Sequence, residues 1–352
     1  MPRSVSGSMA VVASSLRFGL LLGLLCSPRP GQAAPDARPG DAGRPVDAKV
    51  NVVLATTPPT PLPGTGVLTP SELLRERAAA FAKFRSPQRA AAEAVGAYAN
   101  GCVLGAMALP PSGPNYEVLH LGRHRRYGHP TLIAYIRRLA QTAKKQKLGP
   151  LLVGDLSQPR GGPSPYGHRS HQSGLDVDIG FTRPDFMLRR KLTTREREEM
   201  QPPVVFDLSS RKFTKAWGPK VERLIELAAR DEAVERVFVN PHIKNAICKK
   251  RGKTRAADAT WLRIVRPWAA HHDHLHARLK CPQGSPSCEA QPPIPPGDGC
   301  DEVARWLEEE ERRLRAPPPP PGFPPRPPRP PPPLPPLPPA CQALIAPVGD
   351  DP

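Results

Sequence analysis

The stretch 167-GHRSHQSGLDVDIGF-181 decides how this chain is read. It places His168 and His171 just ahead of a glycine turn, then enters a strand pattern, 176-DVDIGF-181. Successive side chains of a strand point to opposite faces. Val177 and Ile179 therefore share one face, and Asp176 and Asp178 share the other. His171 lies on the loop, seven positions before Asp178. The loop can fold back and bring both side chains to one point.

A second patch, 271-HHDHLH-276, runs into another strand pattern, 274-HLHARLK-280. There His274, His276 and Arg278 fall on one face, and Leu275, Ala277 and Leu279 on the other. If the two strands pair, His171, Asp178 and His276 converge. Two imidazoles, one carboxylate and an open fourth position are the usual set for a catalytic zinc. A zinc ion there polarises a water and lowers its pKa toward neutrality. There is no HExxH helix, so the pattern is not the thermolysin-like one. A structural histidine network and a binding site without turnover stay open at this point.

Around these patches the pattern predicts an α+β fold, with helices flanking a small, mostly antiparallel sheet. The string 69-TPSE-72 offers an N-cap threonine, a proline at the first helical position and a glutamate at the third. It predicts a helix of about 15 residues. Ser86-Pro87 repeats that start signal and predicts a second helix. In 130-PTLIAYIRRLAQTAKK-145, Leu132, Ile133, Ile136 and Leu139 recur at helical spacing. The segment 150-PLLVGDLS-157 reads as a strand, and 158-QPRGGPSPYGH-168 as a loop. Residues 219–230 suit an amphipathic helix with Val221, Leu224, Ile225 and Ala228 inward. Strands are expected at 234-VERVFVN-240 and 261-WLRIVRP-267, and a charged helix at 301-DEVARWLEEEERRLRA-316.

The ends differ from the centre. Of the 352 residues 51 are proline, gathered at both ends, so the folded part is shorter than the chain. Arg3 and Arg17 precede the apolar run 18-FGLLLGLLC-26, and 31-GQAA-34 supplies small residues for cleavage after Ala33. Residues 1–33 thus read as a secretory signal. The run is too short to span a bilayer, so no stable membrane insertion is expected after cleavage. Residues 34–66 read as a disordered linker, 67–315 as the catalytic domain and 316–352 as a proline-rich tail. Within that tail, residues 317–339 should form polyproline II and bend, at Gly322-Phe323 or around the surface. Loss of the leader removes Cys26 and leaves Cys102, Cys248, Cys281, Cys288, Cys300 and Cys341. An even number in an exported chain argues for three disulfides, in any of fifteen pairings. The formal net charge of +18 suits a polyanionic partner such as an anionic cell wall. No nucleic-acid-binding signature accompanies it.

Longer strings carry a resemblance. HxxxxxxD followed by HxH is similar to the metal signature of the lysostaphin-type and D-Ala-D-Ala metallopeptidase superfamily. The strings 154-GDLSQPRGGP-163, 167-GHRSHQSGLDVDI-179, 237-VFVNPHIK-244, 263-RIVRPWAAHHDHLHARLKCP-282 and 296-PGDGC-300 closely resemble the penicillin-insensitive murein endopeptidases. The likeness runs from about Tyr98 to the tail ending 341-CQAL-344. It implies His171, Asp178 and His276 as zinc ligands. It also implies His274 as a catalytic histidine beside the metal, His271 as another active-site histidine, and His168 as a further residue at the metal. It implies disulfides Cys102–Cys341, Cys248–Cys300 and Cys281–Cys288. Some members carry an extra Asp and His after an LDLxSR-like segment and hold a second zinc. Here 206-FDLSSRKFTK-215 lacks that pair, so one zinc ion is expected.

The implied activity is periplasmic hydrolysis of D-alanyl–meso-diaminopimelyl cross-links in peptidoglycan, with LD cross-links as a further target. A zinc-activated water would attack the D-alanine carbonyl. Two rivals are weighed. One is a D,D-carboxypeptidase or dipeptidase of the same superfamily. Many of those carry a glutamate base near the last histidine, where this chain has His274. The other is an inactive secreted wall-binding protein, against which the intact ligand set argues.

Overall fold

The computed structural model describes residues 68–165, 168–251, 260–315 and 333–346. The expected signal, the linker and most of the polyproline run lie outside them. Thr69 opens α1 (Pro70–Ala82) through a capping box: its hydroxyl accepts the Glu72 N–H, and the Glu72 carboxylate accepts the Thr69 N–H at 2.8 Å.

The helix expected at Ser86-Pro87 does not form. The chain instead enters an antiparallel hairpin of β1 (Glu93–Ala97) and β2 (Asn100–Leu104). Gly96 explains the choice. Its φ is +70°, and a Cβ there would stand 2.5 Å from the Asn100 carbonyl oxygen. Its N–H donates to the Ser287 carbonyl at 2.8 Å, a distant partner that local helix signals cannot reveal.

Four short strands follow: β3 (Met107–Ala108), β4 (Ser112–Gly113), β5 (Tyr116–Val118) and β6 (Tyr127–Gly128). Then come α2 (Pro130–Lys145), β7 (Leu151–Val153) and β8 (Asp176–Gly180). After α3 (Thr194–Glu199) and a small hairpin, β9 (Phe206–Asp207) and β10 (Lys212–Phe213), the chain forms α4 (Pro219–Arg230). The order continues as β11 (Val234–Val239), α5 (Pro241–Arg251), β12 (Val265–Pro267), β13 (His274–Leu279), α6 (Cys300–Arg315) and α7 (Pro339–Ile345).

The main sheet runs β12-β11-β13-β8-β7-β5-β4. Only β11–β12 and β5–β7 pair parallel, so the sheet is mostly antiparallel and the class is α+β. The expected strand at 261–267 is split. Thr260–Arg263 makes a 3₁₀ turn that buries Trp261 and Leu262, and only Val265–Pro267 joins β11.

One face of the sheet is a conventional core. Leu132, Ile133 and Ile136 of α2 and Val221, Leu224 and Ile225 of α4 pack with Val177, Ile179, Leu275, Ala277 and Leu279. Each buried Val, Leu or Ile side chain contributes about 1.5–3 kcal/mol by leaving water. The opposite face of β8 and β13 is also buried, but it carries Asp176, Asp178, His276 and Arg278.

Disulfides join Cys102 to Cys341, Cys248 to Cys300 and Cys281 to Cys288, the pairs that the resemblance implies. The first ties α7 to β2 across 239 residues. Beside it, Arg77 donates to the Pro335 carbonyl at 2.8 Å and Asn100 to the Pro336 carbonyl at 2.9 Å. The proposed bend at Gly322-Phe323 lies outside the described residues. Among the described residues, no helix is long and apolar enough to cross a membrane.

Candidate metal centre

The pairing of β8 with β13 brings the two histidine patches together. In its register His276 stands opposite Asp178, Arg278 opposite Asp176, and His274 opposite Gly180. Alternation along each strand then puts Asp176, Asp178, His274, His276 and Arg278 on one side.

His171 arrives from the loop. Its φ of +66° is left-handed, an uncommon state for a residue with a Cβ. Its N–H donates to Asp176 Oδ2 at 2.9 Å, which holds that turn. His171 Nε2 and His276 Nδ1 each lie 3.4 Å from Asp178 Oδ1. Ligands about 2.0–2.1 Å from one tetrahedral ion stand roughly 3.4 Å apart. His168 approaches the other oxygen, with Nδ1 3.7 Å from Asp178 Oδ2. One donor atom each from His168, His171 and Asp178 lies within 4.8 Å of the others. His276 stands across Asp178 from His168, outside that tightest group.

Neighbouring carboxylates brace the ring. Asp155, buried, lies 3.4 Å from His168 Nε2 and is clasped by Arg123 at 3.3 Å and Arg125 at 3.4 Å. His274 Nδ1 donates to Asp273 at 2.6 Å, leaving Nε2 3.8 Å from Asp178 Oδ1. His271, at φ +49°, points Nδ1 at the Ala269 carbonyl, 2.8 Å away. Its ring centroid is 5.1 Å from that of His274 and 5.8 Å from that of His276. Arg123, His168, Asp178, His274 and Gln201 line the cleft that opens onto this group. A larger hollow at the start of α4, beside Phe181 and Arg183, holds none of the histidines.

The residues fit a metal ion. Asp178 Oδ1 and both ring nitrogens of His171 are buried and make no hydrogen bond. Such orphaned atoms each cost about 1–3 kcal/mol unless something else satisfies them. The protonation states fit as well. Burial holds His171 down at about 4, so its ring is neutral and free to donate a lone pair. Burial opposes charge on Asp178, but the histidines gathered around it, with His274 held in its charged form, outweigh burial and keep the carboxylate ionised. Burial likewise opposes charge on His274, yet Asp178 and then Asp273 lift it to about 9. Asp155, held down at about 2 against its burial by His168 and Arg125, stays ionised too.

Sequence reasoning missed the bracing groups. Asp155 sits in a segment read simply as a strand; its one charge in an apolar run was the available signal. Asp273 lies inside the second patch itself, but nothing local says which histidine it will serve. On the 206–215 hairpin, Asp207 is engaged by Ser209 and Ser210.

The sequence that builds this geometry is similar to known proteins. Residues 94–346 match the family model described as penicillin-insensitive murein endopeptidase. The penicillin-insensitive murein endopeptidase of Klebsiella pneumoniae subsp. pneumoniae is 41% identical over 268 residues, 75% of this chain and 89% of the relative. That of Yersinia enterocolitica is 41% identical over 239 residues, 66% of this chain and 84% of the relative. That of Salmonella typhi is 42% identical over 231 residues, 64% of this chain and 80% of the relative. The chain belongs to the penicillin-insensitive murein endopeptidase family.

Proposed function

We propose that the chain is a zinc-dependent DD-endopeptidase that hydrolyses D-alanyl–meso-diaminopimelyl cross-links of peptidoglycan. The observation that carries this reading is the partnerless Asp178 Oδ1, with His171 Nε2 and His276 Nδ1 both 3.4 Å away. His171, Asp178 and His276 would hold one zinc ion, with His168 on the outer side of Asp178. Zinc, when bound, supplies Lewis-acid activation of a water and of the scissile carbonyl. His274 faces the same point through Nε2 while Asp273 fixes its other nitrogen. It moves a proton or steadies the developing oxyanion. His271 packs behind His274 and His276. No serine nucleophile is needed, in keeping with the family's name.

The same reading covers the whole chain. Residues 1–33 direct export to the periplasm, 34–66 link, 67–315 carry the catalytic domain, and 316–352 are a proline-rich tail anchored at Cys341. The net charge of +18 favours approach to an anionic wall.

The test is mass spectrometry of purified cross-linked muropeptides before and after incubation, alongside the zinc content of the protein. Conversion of dimers to monomers, with about one zinc per chain, is the expected result. Release of only a terminal D-alanine would make the chain a carboxypeptidase. Binding to the wall without any product would make it a wall-binding protein.

A further inference from the structure

We propose that Asp176 is a positioning residue of the metal centre: it sets which nitrogen of His276 faces the ion and holds the backbone that presents His171. The inference rests on the metal reading above.

Asp176 is 0% exposed, and it reaches both histidines at once. Oδ2 accepts the His171 N–H at 2.9 Å, at the residue whose φ is +66°. Left-handed backbone is strained at a residue with a Cβ, and this bond offsets part of the strain. Oδ1 lies 3.1 Å from His276 Nε2, although the contact is oblique and Nε2 makes no hydrogen bond of ordinary geometry. The His276 ring thus sits between two aspartates of one strand: Nε2 faces Asp176, and Nδ1 faces Asp178 at 3.4 Å. A neutral imidazole carries one N–H. With that proton on the Asp176 side, the Nδ1 lone pair is left for the ion.

Asp176 is itself fixed. Arg278 donates through Nε to Oδ1 at 2.8 Å and through Nη2 to Oδ2 at 3.2 Å, a two-pronged grip that a carboxylate matches. The guanidinium lies over the Tyr98 ring, 4.3 Å from its centroid. The Tyr98 hydroxyl donates at 2.7 Å to the Leu279 carbonyl. Arg278 thus pairs with Asp176 where both are buried and fixes the orientation of the carboxylate.

The experiment uses the full chain with Asp176→Asn, which keeps the volume and removes the charge. Zinc affinity is measured by competition with a chromogenic chelator, and the cobalt(II)-loaded protein is compared by visible absorption. The expected result is zinc binding weakened about 10–100-fold, the usual scale for losing such a partner, with an altered cobalt spectrum. Arg278→Lys keeps the charge but loses the fork, and it should shift both readouts less in the same direction. A purely structural role would lower thermal stability and leave zinc affinity and the cobalt spectrum unchanged. That outcome, in whichever variant folds, overturns the inference. Absence of metal binding by the wild type overturns the metal reading and this inference together.

Discussion

Lys244 on α5 and Asp178 on β8 are both charged side chains taken out of water, and the chain surrounds them in opposite ways. Lys244 is 0% exposed, and its ammonium donates to the carbonyls of Leu262, Val265 and Asp298 at 2.6, 2.7 and 2.8 Å. Three donors meet three acceptors, so the group is complete. Asp178 is nearly as buried, yet Oδ1 has histidines around it and no hydrogen bond. The backbone differs as well. The left-handed residue beside Lys244 is Gly299, for which φ +72° costs little. Near Asp178, His171 and His271 are left-handed although each carries a Cβ. A buried charge that serves only the fold is closed by the chain's own groups. Asp178, for which a metal-binding role is proposed, keeps strain and an open valence that the chain's own groups do not fill.

Substitutions can break this contrast or sharpen it. The largest effect is expected from His276→Ala, which removes one of the two ring nitrogens that lie 3.4 Å from Asp178 Oδ1. It should abolish stoichiometric zinc and muropeptide cleavage together, read by metal analysis and mass spectrometry. Full zinc with full turnover would remove His276 from the site. His274→Ala comes next: zinc should stay while turnover falls on the order of 10²-fold, the scale of general acid–base help. Loss of zinc in that variant would make His274 a ligand.

On the closed side, Lys244→Met strips three carbonyls of their donor. It should cost about 2–3 kcal/mol in denaturant unfolding and leave zinc affinity unaltered. A change in zinc affinity would mean that the two regions are coupled.

The smallest effect is a pH slope. Burial, followed by Arg266, holds Lys244 down at about 7 against its ordinary 10.5. Between those values the unfolded chain binds the extra proton, so Lys244 adds stability as pH rises above about 7 and loses it as pH falls back through that value. The gap in unfolding free energy between wild type and Lys244→Met should widen from about pH 7 to 8, by at most about 1.4 kcal/mol. A flat gap would show that the three carbonyls keep the ammonium charged throughout.

The strand faces of the candidate site are legible in the sequence, because strand alternation is local. Asp176 with Asp178, and His274 with His276 and Arg278, could be assigned to faces from spacing alone. The helices α2 and α4 were legible for the same reason, from apolar residues at helical spacing. The hairpin at 93–104 was not. Its glycine geometry answers to Ser287 and Asn100, and a local start signal at Ser86-Pro87 pointed the other way. The turn that splits 261–267 was missed because Trp261 and Leu262 are as apolar as a strand requires.

What the sequence determined by itself was the inventory: the imidazoles and carboxylates, the faces on which they lie, and the six cysteines beyond residue 100. The tertiary structure decided which of them meet. Residues 102 positions apart touch where Arg278 grips Asp176, and the β8–β13 register alone sets His276 opposite Asp178. A slip of one residue would turn every one of these side chains to the other face. The nitrogen that each histidine turns inward, and the carboxylate that braces its other side, depend on packing among segments far apart in the chain. No local periodicity encodes that choice.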